Sequence, residues 1–269
     1  LYLDKNIIII LRSKTRLKNL IDRVVMIVIG KLPRRFKNRV RLIVAAIFAN
    51  TSVLEETMAS IQKLPDVVLR GWGNPYDVLT GLLPQYGPLD RDILRLVDKE
   101  SHSESSEIDV ARFLYSIVRH SRAKTIIEIG VFHGAGSLSL SQAVDENGGG
   151  ELHLVDISKD FLQDVSKKIE NKKWKIKIFQ HHLKTNEEND VINFPETDVL
   201  FIDACHTYEA VKNDLRKYQP LVSKGGFLIL HDTVFHQGPR RVALEMFENG
   251  FKGCSIATSQ GAGITIFQC

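Results

Sequence analysis

The chain has 269 residues, of which 43% are hydrophobic and 25% are charged, with 18 glycines and 8 prolines. This composition excludes disordered and collagen-like proteins, and the length fits one large domain or one ordinary domain with an added segment. The three cysteines, Cys205, Cys254 and Cys269, have no paired spacing, which excludes a disulfide framework and a Cys-x-x-Cys metal site. A reducing compartment is therefore expected.

The net charge of +4 is unevenly distributed along the chain. Residues 1–50 contain twelve lysines and arginines against the acids Asp4 and Asp22, so this segment carries +10 and the remainder carries −6. Since the acidic remainder has no basic stripe with interleaved aromatic residues, we expect no nucleic-acid partner.

The N-terminal region, residues 1–69, is predicted to contain two basic amphipathic helices, because apolar residues recur at helical spacing on both sides of Pro33. Their other faces are rich in lysine and arginine, a pattern typical of helices that lie on an anionic membrane surface. Helices that cover the acidic domain, or that pair two copies of the chain in a homo-oligomer, need the same pattern, so both interpretations stay open.

The longest apolar runs of this region, residues 24–30 and 42–49, are much shorter than the roughly 18 residues that span a bilayer. Charges also interrupt every candidate signal-peptide core. We therefore expect a cytoplasmic protein, whose membrane contact would be peripheral and on the inner face.

Residues 70–105 are predicted to form a linker that covers the pocket of the next domain or packs between the two regions. The evidence is the stretch RGWGNPYDVLTGLLPQYGP at residues 70–88, which is dense in glycine, proline and aromatic residues. Ser106 is then a candidate N-cap of a helix, and the third region extends from there to residue 269.

Strands and helices alternate from Thr125 onward, which predicts a parallel sheet wrapped by helices. The predicted strands cover residues 125–130, 151–157, 174–180, 197–204 and 225–232, and the intervening helices begin near Ser137, Asp160 and Tyr208. Ligands of such sheets bind beyond the carboxyl ends of the strands. Four acids occur there: Glu128, Asp156, Asp203 and Asp232.

A glycine-rich loop, EIGVFHGAGS, follows the first of these strands. Gly130, Gly134 and Gly136 allow a tight turn and a close approach of the backbone to a ligand. Their spacing departs from G-x-G-x-x-G, which disfavours a nicotinamide-dependent oxidoreductase. Asp156 is placed to bind two ribose hydroxyls, although an acid at this position can also cap the following helix.

Three segments, EIGVFHGAGS, LVDIS and FIDACHTYEAVKNDLRKYQPLVSKGGFLILHDT, together resemble class I S-adenosylmethionine-dependent methyltransferases over residues 106–269. The resemblance implies an α/β, Rossmann-like fold with a seven-stranded, mostly parallel sheet whose last strand is antiparallel, so that GCSIATS and AGITIFQC form a terminal hairpin. It also implies S-adenosyl-L-methionine as cofactor. The implied binding residues are Glu128, Gly130, Gly134, Gly136, Ser137, Asp156, Ile157, His182 and Asp203.

The segments FIDACHTYEAVKNDL and LILHDT are similar to a metal-dependent subgroup that methylates sugars and natural products, including macrolide-sugar O-methyltransferases and cephalosporin-hydroxylase-like proteins. The resemblance implies a divalent cation, Mg²⁺ or similar, on Asp203 and Asp232. For the third ligand, several relatives have Glu or Asp where this chain has His231, whereas catechol-type enzymes have Asn where it has Thr233; His231 is the candidate that this chain offers. An imidazole there would weaken Mg²⁺ binding or favour a softer ion. The alternative role of both acids is to cap helices or turns at the strand ends.

His206, three residues after Asp203, lies where the sugar-modifying relatives carry a general base, and histidine suits proton transfer near neutral pH. Its alternative role is a structural hydrogen bond at the helix start. These features predict an O-methyltransferase for a small hydroxylated acceptor: a sugar, a glycolipid or a secondary metabolite. The competing hypothesis is a non-catalytic relative that binds the cofactor and is recruited to a membrane or a complex by its basic N-terminal helices.

Overall fold

A computed structural model describes residues 87–97, 106–183, 194–256, 258 and 262–269. The basic N-terminal region and most of the predicted linker lie outside these ranges, so the expectations for the amphipathic helices stay predictions. Among the described helices, none has both the length and the apolar character that a bilayer crossing requires.

Helices and strands alternate along the described chain, as the sequence pattern predicts. The helices are α1 (Arg91–Val97), α2 (Ile108–Ser121), α3 (Ala135–Glu146), α4 (Lys159–Asn171), α5 (Tyr208–Tyr218) and α6 (Gln237–Glu248). The strands are β1 (Thr125–Ile129), β2 (Gly150–Asp156), β3 (Ile176–His182), β4 (Thr197–Ile202), β5 (Val222–His231), β6 (Lys252–Ile256) and β7 (Ile264–Gln268).

The seven strands form one sheet in the order β3-β2-β1-β4-β5-β7-β6. Strands β1 to β5 are parallel, and β7 is antiparallel to both β5 and β6. The predicted Rossmann-like α/β fold, with its antiparallel last strand and terminal hairpin, is therefore confirmed. Because Ile129 of β1 is level with Ile202 of β4, and Ile202 with Leu230 of β5, these strands end at one edge.

The central strands are apolar on both faces because helices cover both faces of the sheet. In β1, Ile126 packs into the core that includes α2, α3 and α4, whereas Ile127 packs into the core that includes α5 and α6. Both side chains are fully buried, as are their neighbours Val199 and Leu200 in β4. This two-sided burial holds the strand ends, and the polar residues that follow them, in fixed positions.

Ser106 is not the helix cap that the sequence suggested. Glu107 occupies the N-cap position of α2, and its Oε1 accepts a hydrogen bond from Ala262 N (3.3 Å). The hydroxyl of Ser106 is directed instead to Asp203 Oδ2 (3.4 Å). The cap prediction was wrong because a tertiary contact competes for the serine hydroxyl.

Helices α1 and α6 were not predicted from the sequence. Helix α1 lies inside the predicted linker, beside Asp90, and Lys172 of α4 makes ion pairs of 2.6 Å with Asp90 and Asp92. Helix α6 begins Gln-Gly-Pro, which suggests a loop, but Pro239 lies in the first helical turn, where proline is well tolerated. Both helices thus depend on context that the local pattern does not reveal.

Candidate active site

The glycine loop lies directly against the end of β4. Gly130 N donates a hydrogen bond to Val155 O (2.8 Å), and Asp203 N donates one to Ile129 O (2.8 Å). Gly130 has φ of +87°, and a Cβ atom on this residue would lie 2.1 Å from the carbonyl oxygen of Asp203. Only glycine therefore allows the loop and the residue after β4 to approach so closely.

We expect Gly130→Ala to destabilise the fold strongly, since it adds both backbone strain and a clash with backbone atoms. The matched control is Gly250→Ala, because Gly250 has the same φ of +87° but nothing within 4 Å of its Cβ position. The backbone strain in Gly250→Ala should lower the free energy of unfolding by about 1–2 kcal/mol. Gly130→Ala should lower it by at least about 2 kcal/mol more, because of the additional clash. Urea unfolding measures both; equal losses would show that the loop can move away from Asp203.

Asp156, at the end of β2, binds the backbone of the glycine loop. Its Oδ2 accepts hydrogen bonds from Val131 N (2.8 Å) and Phe132 N (3.4 Å), and its Oδ1 accepts one from Ser158 N (2.7 Å). Phe132 has φ of +45°, an uncommon conformation for a non-glycine residue. Asp156 therefore holds the loop in a strained shape, a role that the sequence did not predict. A carboxylate has about four acceptor sites, so capacity for another donor remains.

An apolar surface lies beside Asp156. The side chain of Ile157 is 63% exposed, and its carbonyl oxygen is 2.9 Å from His182 Nε2 at the end of β3. The structure thus brings together three predicted cofactor residues, Asp156, Ile157 and His182, at the edge next to the glycine loop. An exposed isoleucine next to a carboxylate suits a ligand that has an aromatic ring joined to a sugar.

Three predicted cofactor residues lie beneath the turn formed by residues 130–134: Glu128 of β1 and Gly136 and Ser137 of α3. Glu128 is 1% exposed, and its Oε2 accepts a hydrogen bond of 2.5 Å from Ser137 Oγ. Burial raises the pKa of Glu128 well above its ordinary value, and the charges of Asp203 and Asp156 add to the effect, whereas the bond from Ser137 opposes it. The environment of Glu128 therefore favours its neutral form, and its side chain supports the loop from below through Ser137. Gly134 is the N-cap of α3 at the end of the loop.

Two acids and two histidines form a cluster where β4 and β5 end. His231 Nδ1 lies 2.9 Å from Asp203 Oδ1 and 3.4 Å from Asp232 Oδ2. His206 Nε2 lies 2.8 Å from Asp232 Oδ2 and 3.8 Å from Asp203 Oδ1. The sequence-predicted metal ligands and the predicted base are thus brought together in one cluster.

The charges of this cluster are strongly coupled. Burial lowers the pKa of His206, but the carboxylates of Asp203 and Asp232 outweigh this effect and raise it to about 9. The same carboxylates raise the pKa of the buried His231 well above its ordinary value, again against the effect of burial. In turn, the two histidines lower the pKa of Asp232 in spite of its burial. The carboxylates and the imidazoles of the cluster therefore stabilise each other's charged forms while no ion is bound.

The segment after β5 is rigidly held. Asp232 has φ of +59°, and the amides of Val234 and Phe235 both donate to Ala262 O, at 2.9 and 3.1 Å. Strained backbone at a cluster of titratable groups is a feature of functional sites. The segment ends at His236, whose ring stacks on His206 with centroids 4.2 Å apart.

Ser106 makes the contact with the cluster that sequence reasoning missed, because it comes from before α2, far from Asp203 in the chain, and no local motif marks such a contact. The sequence does predict His236 among the polar groups at this edge of the sheet, and the structure stacks its ring on that of His206.

Two other features lie away from this cluster. His181 packs on the sheet face against His153, with ring nitrogens 3.0 Å apart, and burial lowers its pKa to about 4. A cavity of about 710 Å³ opens where β1, β2 and β3 begin, beside Lys124 and Trp174. Since this is the opposite edge of the sheet, the cavity does not belong to the acid and histidine cluster.

Comparisons with solved structures agree with the fold. The O-methyltransferase TomG from Streptomyces achromogenes, involved in tomaymycin synthesis and solved with SAM, is 16% identical with a TM-score of 0.52, covering 74% of this chain and 97% of that one. An O-methyltransferase from Bacillus cereus, solved with SAH, is 16% identical with a TM-score of 0.51, covering 75% and 100%. A methyltransferase from Geobacter sulfurreducens is 16% identical with a TM-score of 0.52, covering 72% and 93%.

No curated protein matches the chain in sequence. A family model does match: residues 127–233 fit the methyltransferase domain family Methyltransf_24. The match spans β1 through Thr233 and thus includes the glycine loop, Asp156, Asp203, His206 and Asp232. It confirms the resemblance drawn from the sequence segments. Residues 127–233 are therefore similar in sequence to a methyltransferase domain family, and the sheet to which they contribute has the fold of the solved methyltransferases.

Proposed function

We propose that the chain transfers a methyl group from S-adenosylmethionine to a hydroxyl of a small acceptor. The observation that carries the proposal is the contact of the glycine loop with Asp203, made through Gly130. This contact places a nucleoside-type loop beside a cluster of acids and histidines at one edge of the sheet. A methyl donor and a group that removes a proton are needed at the same point for O-methylation.

The cofactor would lie across the glycine loop. Asp156 would accept hydrogen bonds from the ribose, Ile157 and His182 would contact the adenine, and the loop above Glu128 would face the methionine part. The choice of cofactor is supported by the similar folds of TomG, solved with SAM, and of the Bacillus cereus O-methyltransferase, solved with SAH.

Asp203, Asp232 and His231 fit a divalent cation, since one ligand atom from each lies within 4.8 Å of the others. Two carboxylates and an imidazole are an ordinary donor set for such an ion. When bound, the ion would supply positive charge that lowers the pKa of the acceptor hydroxyl. The two acids would also orient the acceptor for in-line attack on the methyl group.

His206 would take the proton of the acceptor hydroxyl. Its side chain is 37% exposed, so an acceptor can reach it, and Asp232 fixes its Nε2 at 2.8 Å. When no ion is bound to the two carboxylates, His206 has a pKa of about 9 and is mostly protonated at pH 7. The base must therefore lose this proton before it can act.

We expect turnover to rise with pH as the basic form of His206 increases; the pKa of about 9 sets the upper limit of this rise, since a cation on Asp203 and Asp232 would lower it. His206→Ala should lower turnover and abolish this rise. The measurement is the pH profile of kcat/KM with saturating cofactor, and His120→Asn, a change at an exposed histidine of α2, is the control. An unaltered profile in His206→Ala would assign the proton transfer to another group.

The acceptor class follows from the sequence resemblance: a sugar, a glycolipid or a secondary metabolite. Incubation of the full chain with cellular extract and isotopically labelled S-adenosylmethionine, followed by mass spectrometry, tests for methylated products. Asp203→Asn should yield none. Binding of the cofactor without any labelled product would favour the competing hypothesis, a non-catalytic relative.

The basic N-terminal region enters the proposal as the element that would bring the enzyme to an anionic membrane or to a second copy of the chain. The +10 charge of residues 1–50 is the supporting observation. A cytoplasmic location, with peripheral contact to the inner membrane face, remains the matching expectation.

A further inference from the structure

The cation centre that we propose is unusually rich in nitrogen. Besides His231, which faces Asp203 and Asp232, a second group of potential ligands shares Asp232 and includes His206 and His236. Three imidazoles therefore surround two carboxylates. The inference below rests on the proposed function, because it takes the position of the ion from it and concerns the identity of that ion.

The position of His231 already matches that of a metal ligand. Two atoms bound to one ion at about 2.1 Å lie about 3.0–3.4 Å apart when their angle at the ion is between 90° and 110°. His231 Nδ1 lies 2.9 Å from Asp203 Oδ1 and 3.4 Å from Asp232 Oδ2. Nδ1 is thus at ligand spacing from both carboxylates at once.

Burial keeps the imidazole of His231 in this place. Its side chain is 7% exposed, and its other ring nitrogen, Nε2, is buried without a hydrogen-bond partner among the described residues. The ring therefore has no exposed or hydrogen-bonded alternative that would turn Nδ1 away from the carboxylates.

Nitrogen in this position changes which ion binds best. Mg²⁺ prefers six oxygen atoms in octahedral geometry, whereas imidazole suits Co²⁺, Zn²⁺ and related ions. We propose that this centre is selective for a divalent transition-metal ion over Mg²⁺, and that His231 is the residue that determines the preference.

Isothermal titration of the full chain, with Co²⁺ and with Mg²⁺ separately, tests the proposal. A mixed nitrogen and oxygen site binds Co²⁺ better than Mg²⁺ in general, so the decisive quantity is the change in the ratio of the two affinities. We expect His231→Glu, which restores an all-oxygen set, to lower the Co²⁺/Mg²⁺ ratio by at least about tenfold. The visible absorption of bound Co²⁺ should change in the same variant.

His231→Asn is the second variant, since its side chain is smaller than the imidazole and puts an amide in the place of Nδ1. It too should lower the ratio, and S-adenosylhomocysteine affinity shows whether each variant is folded. His120→Asn, at an exposed histidine of α2 outside both groups of potential ligands, is the control and should leave the ratio within about threefold of that of the wild type. A ratio that is unchanged in His231→Glu would overturn the proposal, as would a wild-type chain that binds neither ion. If the ion preference is not found, methyl transfer in excess chelator would still support the proposed function. Failure of the ion proposal is therefore distinguishable from failure of the proposed methyl transfer.

Discussion

We expect Asp232→Asn to lose methyl transfer while it keeps its affinity for S-adenosylmethionine. Asp232 lies 2.8 Å from His206 and 3.4 Å from His231, so it contacts both the proposed base and a proposed ion ligand. The glycine loop, by contrast, contacts Asp203 and Asp156 through backbone and carboxylate hydrogen bonds that this change leaves intact. Turnover should fall by about 10²- to 10³-fold or more, the range for removal of one charge-stabilising group.

Asparagine is the appropriate substitution because residue 232 has φ of +59°, a conformation that asparagine and aspartate both tolerate. Turnover and calorimetric affinity for the cofactor are the two measurements. Glu209→Gln, an exposed acid in the first turn of α5, is the control and should retain activity. Wild-type activity in Asp232→Asn, or full activity of metal-free protein in excess chelator, would show that the acids only cap the strand ends.

The second large effect concerns Asp156. Asp156→Ala should weaken cofactor binding by at least about tenfold, since it removes the ribose hydrogen bond for which Asp156 retains acceptor capacity. The structure adds a further cost, since Val131 N and Ser158 N lose their acceptors, at 2.8 and 2.7 Å. We therefore expect a greater loss than ribose contacts alone would produce, together with lower stability toward urea.

The two contributions can be separated with a modified ligand. Asp156→Asn and the wild type are each titrated with S-adenosylhomocysteine and with its 2′-deoxy analogue. If Asp156 contacts the ribose, the substitution will cost less affinity for the analogue, which lacks that hydroxyl. Asp160→Asn, an exposed acid in the first turn of α4, is the control. Equal losses for both ligands would limit Asp156 to holding the loop.

The fold was largely predictable because its determinants are local. Four strands, β1, β2, β4 and β5, are short apolar runs with an acid at or beside the carboxyl end, and the glycines between β1 and α3 mark the turn where Gly130 meets Asp203. Helix α5 runs from Tyr208 to Tyr218, as predicted, since Thr207 caps it by accepting a hydrogen bond from Ala210 N. Such signals lie within a few residues of the structure that they determine.

The candidate site was predictable only in part because much of it depends on contacts between distant segments. That Asp203, Asp232 and His206 would meet followed from their positions after adjacent strands. The contact of Ser106 with Asp203 spans 97 residues, and the hydrogen bonds of Asp156 to the loop require knowledge of the loop shape. Helix α6 was hidden by the Gly238–Pro239 pair at its start, which is a loop signal when read locally.

The close approach of Gly130 to Asp203 has a thermodynamic consequence. Because the Cβ position of Gly130 is filled by the backbone of Asp203, the loop cannot shift toward β4 without displacing that residue. A ligand that moves the loop therefore changes the affinity of the neighbouring cluster for its own ligand, and the coupling must be equal in both directions. Cofactor binding would then change the affinity for the acceptor, and acceptor binding would change the affinity for the cofactor by the same factor.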